Sequence, residues 1–439
     1  MSNARSFVVK LLTKMDENNS YSNILLSDAL KKSNLSAQDK KFASALFYGV
    51  LERKYTLDEI IRKHASNKNR KINHEIRSIL WIGLYQLKYM DSVPDNAAVD
   101  ECVEMTKKRR NAACAGFVNA VLREFIRSGK ALPVKNSRTQ QLAVDFSCPP
   151  WIVHKWTLEY SDRICNDMLR TSVGQAPTTV RINTLYAPLE DTLKMLADEG
   201  IRYDKIAYLP NCYNLRFSGS VENTNAYKNG RLHVQDLSSQ FCVAALEPKE
   251  NDTVLDLCAA PGGKTFTIAE YINNKGKVYA FDLHENRVKH IRTGAKRLGL
   301  TCIKARPNDA KVFCKDMPKA DKVLCDVPCS GLGVIRRKPE IKYKDPNDFE
   351  RLPQIQYDIV DVASNYVKRN GILVYSTCTL SRAENDEVVD IFLSEHPEFT
   401  PYRFGDNFGS DRNKTRMTIT PGNFNSDGFF IAKFKRIRW

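Results

Sequence analysis

The sequence predicts a multidomain α/β protein in which a helical N-terminal part precedes a mostly parallel, doubly wound sheet. Three observations support this fold class. Apolar residues recur at helical spacing through about the first 130 residues. From about residue 250, short apolar runs typical of buried strands alternate with helical patterns. A chain of 439 residues also exceeds the size of one ordinary hydrophobic core, so two or three domains are expected.

The first predicted domain is a compact helical bundle over residues 1–140. Its main apolar stripes occupy residues 7–15, 42–51, 72–87 and 117–125. The bundle contains 25 basic and 14 acidic side chains, so it holds most of the formal net charge of +16. Such a surface favours binding of a polyanion such as nucleic acid, and it is equally compatible with simple solvation.

A run of four basic residues ends one helix of the bundle and precedes the next: Lys107, Lys108, Arg109 and Arg110. Positive side chains complement the negative end of a helix, so the position alone explains the run. Contact with RNA phosphates explains it equally well on local grounds. Both interpretations stay open at this point.

The middle of the chain is predicted to contain a linker and a small α/β module. Residues 132–150 lack periodicity and end in a Pro-Pro pair, which is typical of a linker. The module is expected over 145–230, with a strand at 178–185. Arg181 lies on this strand and is a candidate RNA contact. The third domain is predicted to span 231–439.

The third domain is organised around the motif LDLCAAPGGKT at residues 255–265. A strand pattern precedes it and a helical pattern follows, so the small residues between them leave a helix N-terminus open to a nucleotide-like ligand. A phosphate-binding P-loop is one alternative, but Cys258 stands where that loop needs glycine. A tight turn without a ligand is another. The candidate ligand contacts are Cys258, Ala259, Ala260, Pro261, Gly262, Gly263 and Lys264.

Acidic residues follow the predicted strands at the sheet edge where ligands bind in this fold class. Asp282 closes the second strand about twenty residues after the glycine turn, where a ribose diol would be held. Asp309 follows the third strand and Asp326 the fourth. Asp282 and Asp309 fit the ribose hydroxyls and the adenine edge of S-adenosylmethionine. The strands themselves are predicted at 253–257, 278–281, 302–305, 323–325 and 372–376, with further strand-like stretches at 417–420 and 429–434.

A cysteine follows each of two strands that should be neighbours in the sheet: Cys329 in DVPCSG and Cys378 in STCT. Their thiols could therefore face one bound base. A thiol suits methylation of a pyrimidine ring carbon, because carbon 5 of cytosine becomes nucleophilic only after a thiolate adds to carbon 6. Each cysteine alone is also explained as a small buried hydrophobe. The pattern does not say which thiol attacks.

Four segments together resemble the RNA cytosine-5 methyltransferases, and among them the Sun/RsmB type: LDLCAAPGGKT, DVPCSGLG, YSTCTLSRAEND and PGNFNSDGFFIAKF. The bundle, including FVNAVLREF, resembles the RNA-binding antitermination factor NusB. The resemblance implies a Rossmann-like class I S-adenosylmethionine methyltransferase fold for the third domain, with S-adenosylmethionine as cofactor. It also implies 16S ribosomal RNA, free or in a partly assembled small subunit, as substrate, with cytosine 967 as the target.

The same resemblance assigns roles to individual residues. It makes Cys378 the nucleophile, and it makes Cys329 the group that assists removal of the carbon-5 proton and release of the enzyme. It places Asp326 at the cytosine edge and among the cofactor contacts. Three basic residues after the Cys329 loop are expected to hold RNA phosphates, namely Arg336, Arg337 and Lys338.

Several other classes are disfavoured. No apolar run reaches membrane-spanning length and no signal-peptide pattern begins the chain, so we expect a cytoplasmic protein, as a monomer. The twelve cysteines lack the spacing of a disulfide framework, and Cys325 and Cys329 lack the second pair that a zinc site needs. Two rival functions remain. One is a DNA methyltransferase, with Cys329 as nucleophile, and the other is an RNA-binding assembly factor without turnover.

Overall fold

A computed structural model describes residues 4–18, 22–65, 72–109, 112–217 and 219–438. Within these residues no helix combines the length and the apolar character needed to span a bilayer. The chain divides into two compact units. Unit 1 comprises Met1–Gly174 and Ile335–Pro346, and unit 2 comprises Gln175–Val334 and Asn347–Trp439.

Unit 1 is helical, as the sequence predicts. Its core is built from the apolar faces of packed helices, and α4 in particular is buried over most of its circumference. Among its described residues, side chains cap three helix starts: Ser36 accepts a hydrogen bond from the Asp39 amide, and Asn73 accepts one from the Glu75 amide. Ser161 accepts one from the Ile164 amide. The helices are α1 Ala4–Asn18, α2 Ser22–Lys31, α3 Ala37–His64, α4 His74–Tyr89, α5 Asp95–Lys107, α6 Ala115–Arg127, α7 Arg138–Phe146, α8 Pro150–Glu159 and α9 Asp162–Thr171.

The prediction of a linker over 132–150 is wrong, because α7 occupies half of this stretch. The hydroxyl of Thr56 in α3 donates to the carbonyl of Val144 at 2.6 Å, which holds α7 on the bundle. Ser147 ends α7 in the left-handed region at φ 49°, and the Pro-Pro pair then begins α8. The compact unit therefore continues to Gly174, well past the predicted end at residue 140.

The segment Ile335–Pro346 belongs to unit 1 although it follows a loop of unit 2 in the sequence. Lys342 is completely buried there, and its ammonium donates to the carbonyls of Glu52 at 2.7 Å and Ser147 at 2.8 Å. Burial lowers the pKa of Lys342 to about 8. The segment thus supplies an interior side chain to the helical unit.

Unit 2 contains two sheets. The smaller sheet is antiparallel with the order β2–β3–β1–β4, formed by β1 Thr178–Ile182, β2 Arg202–Lys205, β3 Cys212–Arg216 and β4 Leu232–Val234. Its helices are α10 Leu189–Asp198 and α11 Asn225–Lys228.

The larger sheet has the order β10–β12–β9–β8–β5–β6–β7, with β11 paired to β12. Neighbours from β9 to β7 run parallel, whereas β12 is antiparallel to its partners, so the expected mostly parallel, doubly wound sheet is confirmed. The strands are β5 Thr253–Asp256, β6 Lys277–Asp282, β7 Ile303–Pro307, β8 Ala320–Asp326, β9 Val367–Thr377, β10 Phe399–Pro401, β11 Arg416–Ile419 and β12 Phe429–Arg436. The helices are α12 Leu237–Leu246, α13 Gly263–Tyr271, α14 Glu285–Arg297, α15 Leu352–Ser364, α16 Asp386–Glu395 and α17 Pro421–Phe424.

A buried ion pair connects the smaller sheet of unit 2 to helix α13. Arg181 in β1 donates from Nε to Glu270 Oε2 in α13 at 2.6 Å, and both side chains are about 95% buried. The guanidinium also donates to the carbonyl of Pro210 at 3.1 Å and lies over the ring of Tyr271. Because a buried charge must be paired, this contact fixes β1 against α13, the helix that follows the central motif.

We expect Glu270→Ala to lower the free energy of unfolding of unit 2 by about 3–5 kcal/mol, because it leaves the Arg181 guanidinium buried without its counter-charge. Hydrogen–deuterium exchange of peptides from β1 and α13 measures the change. The matched control is Glu250→Ala, which breaks an exposed pair with Lys275 and should leave the free energy of unfolding nearly unchanged. If both substitutions lowered the free energy of unfolding by an equally small amount, the Arg181–Glu270 pair would not hold β1 against α13.

Candidate active site

The predicted site residues follow strands that lie side by side. In the order β9–β8–β5–β6–β7 all neighbours are parallel, so the turns after these strands meet at one edge of the sheet. The central motif follows β5, and the two cysteine turns follow β8 and β9. The register pairs Asp326 at the end of β8 with Ser376 near the end of β9, so the cysteine turns begin at the same level.

The glycine turn leaves its backbone open. Gly262 has a φ of 118°, and a Cβ there would lie 2.4 Å from the ring of Phe266, so only glycine fits. Gly263 begins α13, and a Cβ there would meet nothing nearer than Gln235 at 3.8 Å. No side chain caps the N-terminus of α13, which is the arrangement that suits an anionic ligand group. Ala259, Ala260 and Pro261 complete the turn with small side chains.

Hydrogen bonds connect both ends of the motif to neighbouring parts of the domain. Ala259 donates its amide to the carbonyl of Phe281 at 2.7 Å, which joins the turn to β6. Burial raises the pKa of Cys258 well above the ordinary value and that of Asp256 to about 7. The hydroxyl of Thr265 donates to Asp256 Oδ2 at 2.7 Å and so connects the end of β5 to α13.

Asp282 is the last residue of β6, and Asp309 lies in the turn after the adjacent strand β7. The Asp282 side chain is only 4% exposed and pairs with Arg287 at 3.2 Å, whereas its neighbour Leu283 is 57% exposed. The amide of Asn308 donates to the carbonyl of Asp282 at 3.0 Å, and the carboxylate of Asp309 accepts from the Lys311 amide at 3.0 Å. A buried acid beside an exposed apolar side chain fits a ribose and an adenine ring.

The two cysteine sulfurs are in contact. Cys329 Sγ and Cys378 Sγ lie 3.2 Å apart, and both side chains are half-buried. The amide of Gly333 donates to the carbonyl of Cys378 at 3.0 Å, which ties the two turns together. The hydrogen bond with Cys378 and burial both raise the pKa of Cys329 well above the ordinary value. The sequence prediction that both thiols could face one base is therefore compatible with this geometry.

A half-buried ion pair lies beside the thiols. Lys264 at the start of α13 donates to Asp326 Oδ2 at 2.7 Å, and the hydroxyl of Ser376 donates to Asp326 Oδ1 at 2.9 Å. Burial opposes the charge on Lys264, but the Asp326 carboxylate outweighs it and raises the pKa of the lysine. Lys264 is thus held as a cation next to the cysteine turns. The sequence offered it only as a cofactor contact, and Ser376 was not predicted at all.

One further residue that the sequence analysis missed shapes the turn of Cys378. Asn385 is buried, accepts a hydrogen bond from the Thr377 hydroxyl at 2.6 Å, and donates to the carbonyl of Thr379 at 3.1 Å. In the sequence this residue is recognisable only as an asparagine seven positions after Cys378, directly before α16. Periodicity does not single out such a residue.

The predicted RNA contacts lie in different environments. Arg181 is wrong as an RNA contact, because it is buried and paired with Glu270. Lys107 and Lys108 are exposed, Arg109 is largely buried against Glu75 and Ser6, and Arg110 lies outside the described residues. The remaining three belong to Ile335–Pro346 in unit 1: Arg336 and Arg337 are half-buried, and Lys338 is exposed.

Comparison with known proteins identifies three family matches along the chain. They are the NusB family over residues 2–127, the "Methyltr_RsmF/B-like, ferredoxin-like domain" over 148–222, and "16S rRNA methyltransferase RsmB/F" over 243–435. The "Probable ribosomal RNA small subunit methyltransferase B" of Bacillus subtilis is 38% identical over 98% of each chain.

Two solved structures share the fold. The protein PH0851 superposes with a TM-score of 0.83 at 23% identity and covers 99% of this chain and 98% of its own. NSun6 from Pyrococcus horikoshii with SFG gives a TM-score of 0.59 at 23% identity, over 66% of this chain and 99% of its own. The helical N-terminal domain and the methyltransferase domain with a mixed sheet therefore recur in known structures.

We expect Cys329 to resist alkylation by iodoacetamide at neutral pH, because its pKa is raised by the Cys378 hydrogen bond and by burial. In Cys378→Ala the hydrogen bond is lost, so the pH at which Cys329 becomes reactive should fall. Peptide mass spectrometry at increasing pH measures both profiles. The fully buried Cys325 should stay unlabelled in each protein and so reports an intact fold. An unchanged Cys329 profile would contradict the sulfur–sulfur hydrogen bond.

Proposed function

The chain belongs to the ribosomal RNA small subunit methyltransferase B family, and from that premise we propose that it methylates carbon 5 of a cytosine in 16S ribosomal RNA. The observation that carries the proposal is the 3.2 Å separation of the Cys329 and Cys378 sulfurs on adjacent turns. Methylation of a ring carbon requires a sulfur nucleophile, whereas methylation of an exocyclic amine does not. Two thiols in contact supply one group for addition and another for release.

Cys378 acts first in this proposal. Its thiolate adds to carbon 6 of the cytosine and forms a carbon–sulfur bond, so that electron density moves to carbon 5. Lys264 stabilises the thiolate, because the cation and the Cys378 sulfur interact electrostatically. Asp326 holds the cytosine edge, and its second oxygen is oriented by Ser376.

Cys329 acts second. After carbon 5 has gained its methyl group, the proton on that carbon passes to Cys329, and the bond between Cys378 and carbon 6 breaks to restore the aromatic ring. Cys329 must release its own thiol proton to solvent before this step, and its raised pKa then makes the thiolate a strong base. The assignment of the two roles follows the family, since the two sulfurs are equivalent by distance alone.

The residues around the glycine turn fit S-adenosylmethionine. When bound, this cofactor supplies an electrophilic methyl group. The uncapped start of α13 suits its carboxylate, and the open backbone at Gly263 permits close approach. Asp282 and Asp309 would hold the ribose and adenine groups. NSun6, which shares the fold, was solved with SFG, an analogue of S-adenosylmethionine.

We infer that unit 1 contributes to RNA affinity. The exposed Lys107, Lys108 and Lys338 are the candidates for phosphate contacts. The substrate is 16S ribosomal RNA, free or in a partly assembled small subunit, and the family expectation for the target is cytosine 967.

Substitution of each cysteine should leave a different species. Cys378→Ala lacks the nucleophile, so no covalent protein–RNA complex and no methylation are expected. Cys329→Ala can still add to carbon 6 and receive the methyl group at carbon 5. Proton loss and elimination should then stall, and protein joined to methylated RNA should accumulate. Denaturing gel electrophoresis with labelled RNA detects the adduct.

The reverse pattern would identify Cys329 as the nucleophile, as in a DNA methyltransferase. Adducts from neither variant, in proteins that still bind cofactor and RNA, would count against thiol addition altogether. An RNA-binding factor without turnover would give no methylated RNA with the unmodified protein.

Gly263→Val should weaken S-adenosylmethionine binding by at least about tenfold while the protein stays folded, because the side chain blocks approach to the backbone and its Cβ would meet no protein atom nearer than Gln235 at 3.8 Å. Isothermal calorimetry and thermal unfolding measure the two effects. The comparison variant Gly262→Ala should lose both affinity and stability, since its Cβ meets Phe266. Unchanged affinity in folded Gly263→Val would contradict the location of the cofactor.

A further inference from the structure

Glu384 is a buried carboxylate at the bottom of the cysteine turns. Its side chain is 3% exposed, and it follows Cys378 by six residues in the turn that leads into α16. A carboxylate in this position needs hydrogen-bond donors, because an unpaired charge in a protein interior is unstable. The residues that donate hydrogen bonds to Glu384 therefore show which segments its carboxylate holds in place.

The carboxylate contacts both turns that carry the thiols. Oε2 accepts from the Ser330 amide at 2.8 Å, and Oε1 accepts from the Ser330 hydroxyl at 2.6 Å. Oε1 also lies 3.3 Å from the Thr379 hydroxyl, which contacts the Ser330 hydroxyl at 2.7 Å. Ser330 directly follows Cys329, and Thr379 directly follows Cys378. A single side chain therefore bridges the residues next to the two sulfurs.

The bridge is itself held from two sides. Gln356 in α15 donates from Nε2 to Glu384 Oε2 at 3.0 Å and to the carbonyl of Pro328 at 2.9 Å. The Tyr375 hydroxyl in β9 donates to the carbonyl of Glu384 at 2.5 Å. The adjacent Asn385, in contrast, contacts only the turn of Cys378. Glu384 is thus the member of this pair that joins one turn to the other.

We propose that Glu384 is a positioning residue that holds the Cys329 and Cys378 sulfurs at the separation their successive reactions on one base require. It touches neither sulfur and acts through Ser330 and Thr379. This inference rests on the proposed two-thiol function, but the separation of the sulfurs can be measured without any catalysis.

The test compares Glu384→Ala, Glu384→Gln and the control Glu387→Ala, all in the full chain. Glu387 is exposed on α16, three residues further on, and contributes nothing to the turns. In the glutamine variant the amide oxygen can accept from the Ser330 amide, and the amide nitrogen can donate to the Ser330 hydroxyl. That hydroxyl can then donate to Thr379, so the bridge persists with the direction of its hydrogen bonds reversed.

The first readout is the rate at which Cys329 and Cys378 are joined by the azo oxidant diamide. The two thiols lose their hydrogens to the azo group, which becomes a hydrazine, and one sulfur–sulfur bond forms. Because that bond is only about 2.05 Å long, the rate at which it forms reports how closely the two sulfurs can approach each other. Peptide mass spectrometry after alkylation follows the reaction. We expect a decrease of at least about tenfold in Glu384→Ala, and wild-type rates in Glu387→Ala and, within about threefold, in Glu384→Gln.

The second readout is methyl transfer. Glu384→Ala should lower kcat by at least about tenfold, with KM for RNA and Kd for S-adenosylmethionine within about twofold of wild type, and Glu384→Gln should restore most of kcat. A wild-type diamide rate in folded Glu384→Ala would overturn the proposal. Equal losses of kcat in Glu384→Ala and Glu384→Gln would also overturn the proposal. The negative charge of Glu384, and not its hydrogen-bonded bridge between the turns, would then be what methyl transfer requires.

Two further outcomes, a failure of Glu384→Ala to fold and a failure of the proposed function, can be told apart from a failure of this proposal. If Glu384→Ala fails to fold, Thr379→Val removes the hydroxyl at one end of the bridge with little change of shape, and a wild-type diamide rate there overturns the proposal. If the unmodified protein methylates no RNA and Cys329→Ala forms no adduct, the proposed function fails, while the diamide rates still decide whether Glu384 sets the sulfur separation.

Discussion

The contact between two sulfurs that are 49 residues apart in the chain is the feature on which the site depends. It follows from the pairing of β8 with β9, because that register places Asp326 opposite Ser376 and starts both cysteine turns at one level. A slip of one residue would reverse the direction of every side chain along the strand and would separate the thiols. Polar contacts below the turns then act on a geometry that the sheet has already brought close. The chemistry is therefore a consequence of strand register before it is a consequence of any single side chain.

Charge at the site is balanced by internal pairing. Lys264 and Asp326 neutralise each other across the start of α13 and the end of β8, and Ser376 satisfies the second carboxylate oxygen. A half-buried pair of this kind gives little net stability, because desolvation offsets much of the attraction. Its value is in orientation. The contacts between Lys264, Asp326 and Ser376 keep the ammonium and the carboxylate in a fixed orientation next to the thiols.

The sequence predicted the elements whose signals are local. The apolar run at 253–257 became β5 with a shift of one residue, and the run at 372–376 became the second half of β9, which begins five residues earlier. The glycine turn lies between strand and helix as expected. It failed where the outcome depends on distant partners. Arg181 was interpreted as an RNA contact because nothing near it in the sequence reveals Glu270, 89 residues away. Glu384 belongs to the segment YSTCTLSRAEND, but the sequence does not indicate its role, because its partners come from three separate segments. The helix α7 was missed because its apolar face is short.

The burial of Lys342 in the helical unit has a consequence for synthesis. Its two carbonyl acceptors, on Glu52 and Ser147, emerge from the ribosome long before the lysine does. The helical unit ends its first segment at Gly174 and is completed only by Ile335–Pro346, so about 170 further residues must be translated first. At about 5–20 residues per second that interval is roughly 10–35 seconds. For that time the nascent bundle exists with an unfilled interior position, and it must remain soluble and protease-resistant in an unfinished form. The N-terminal domain is therefore the first part of this protein to be started, but it is complete only after most of unit 2 has also been translated.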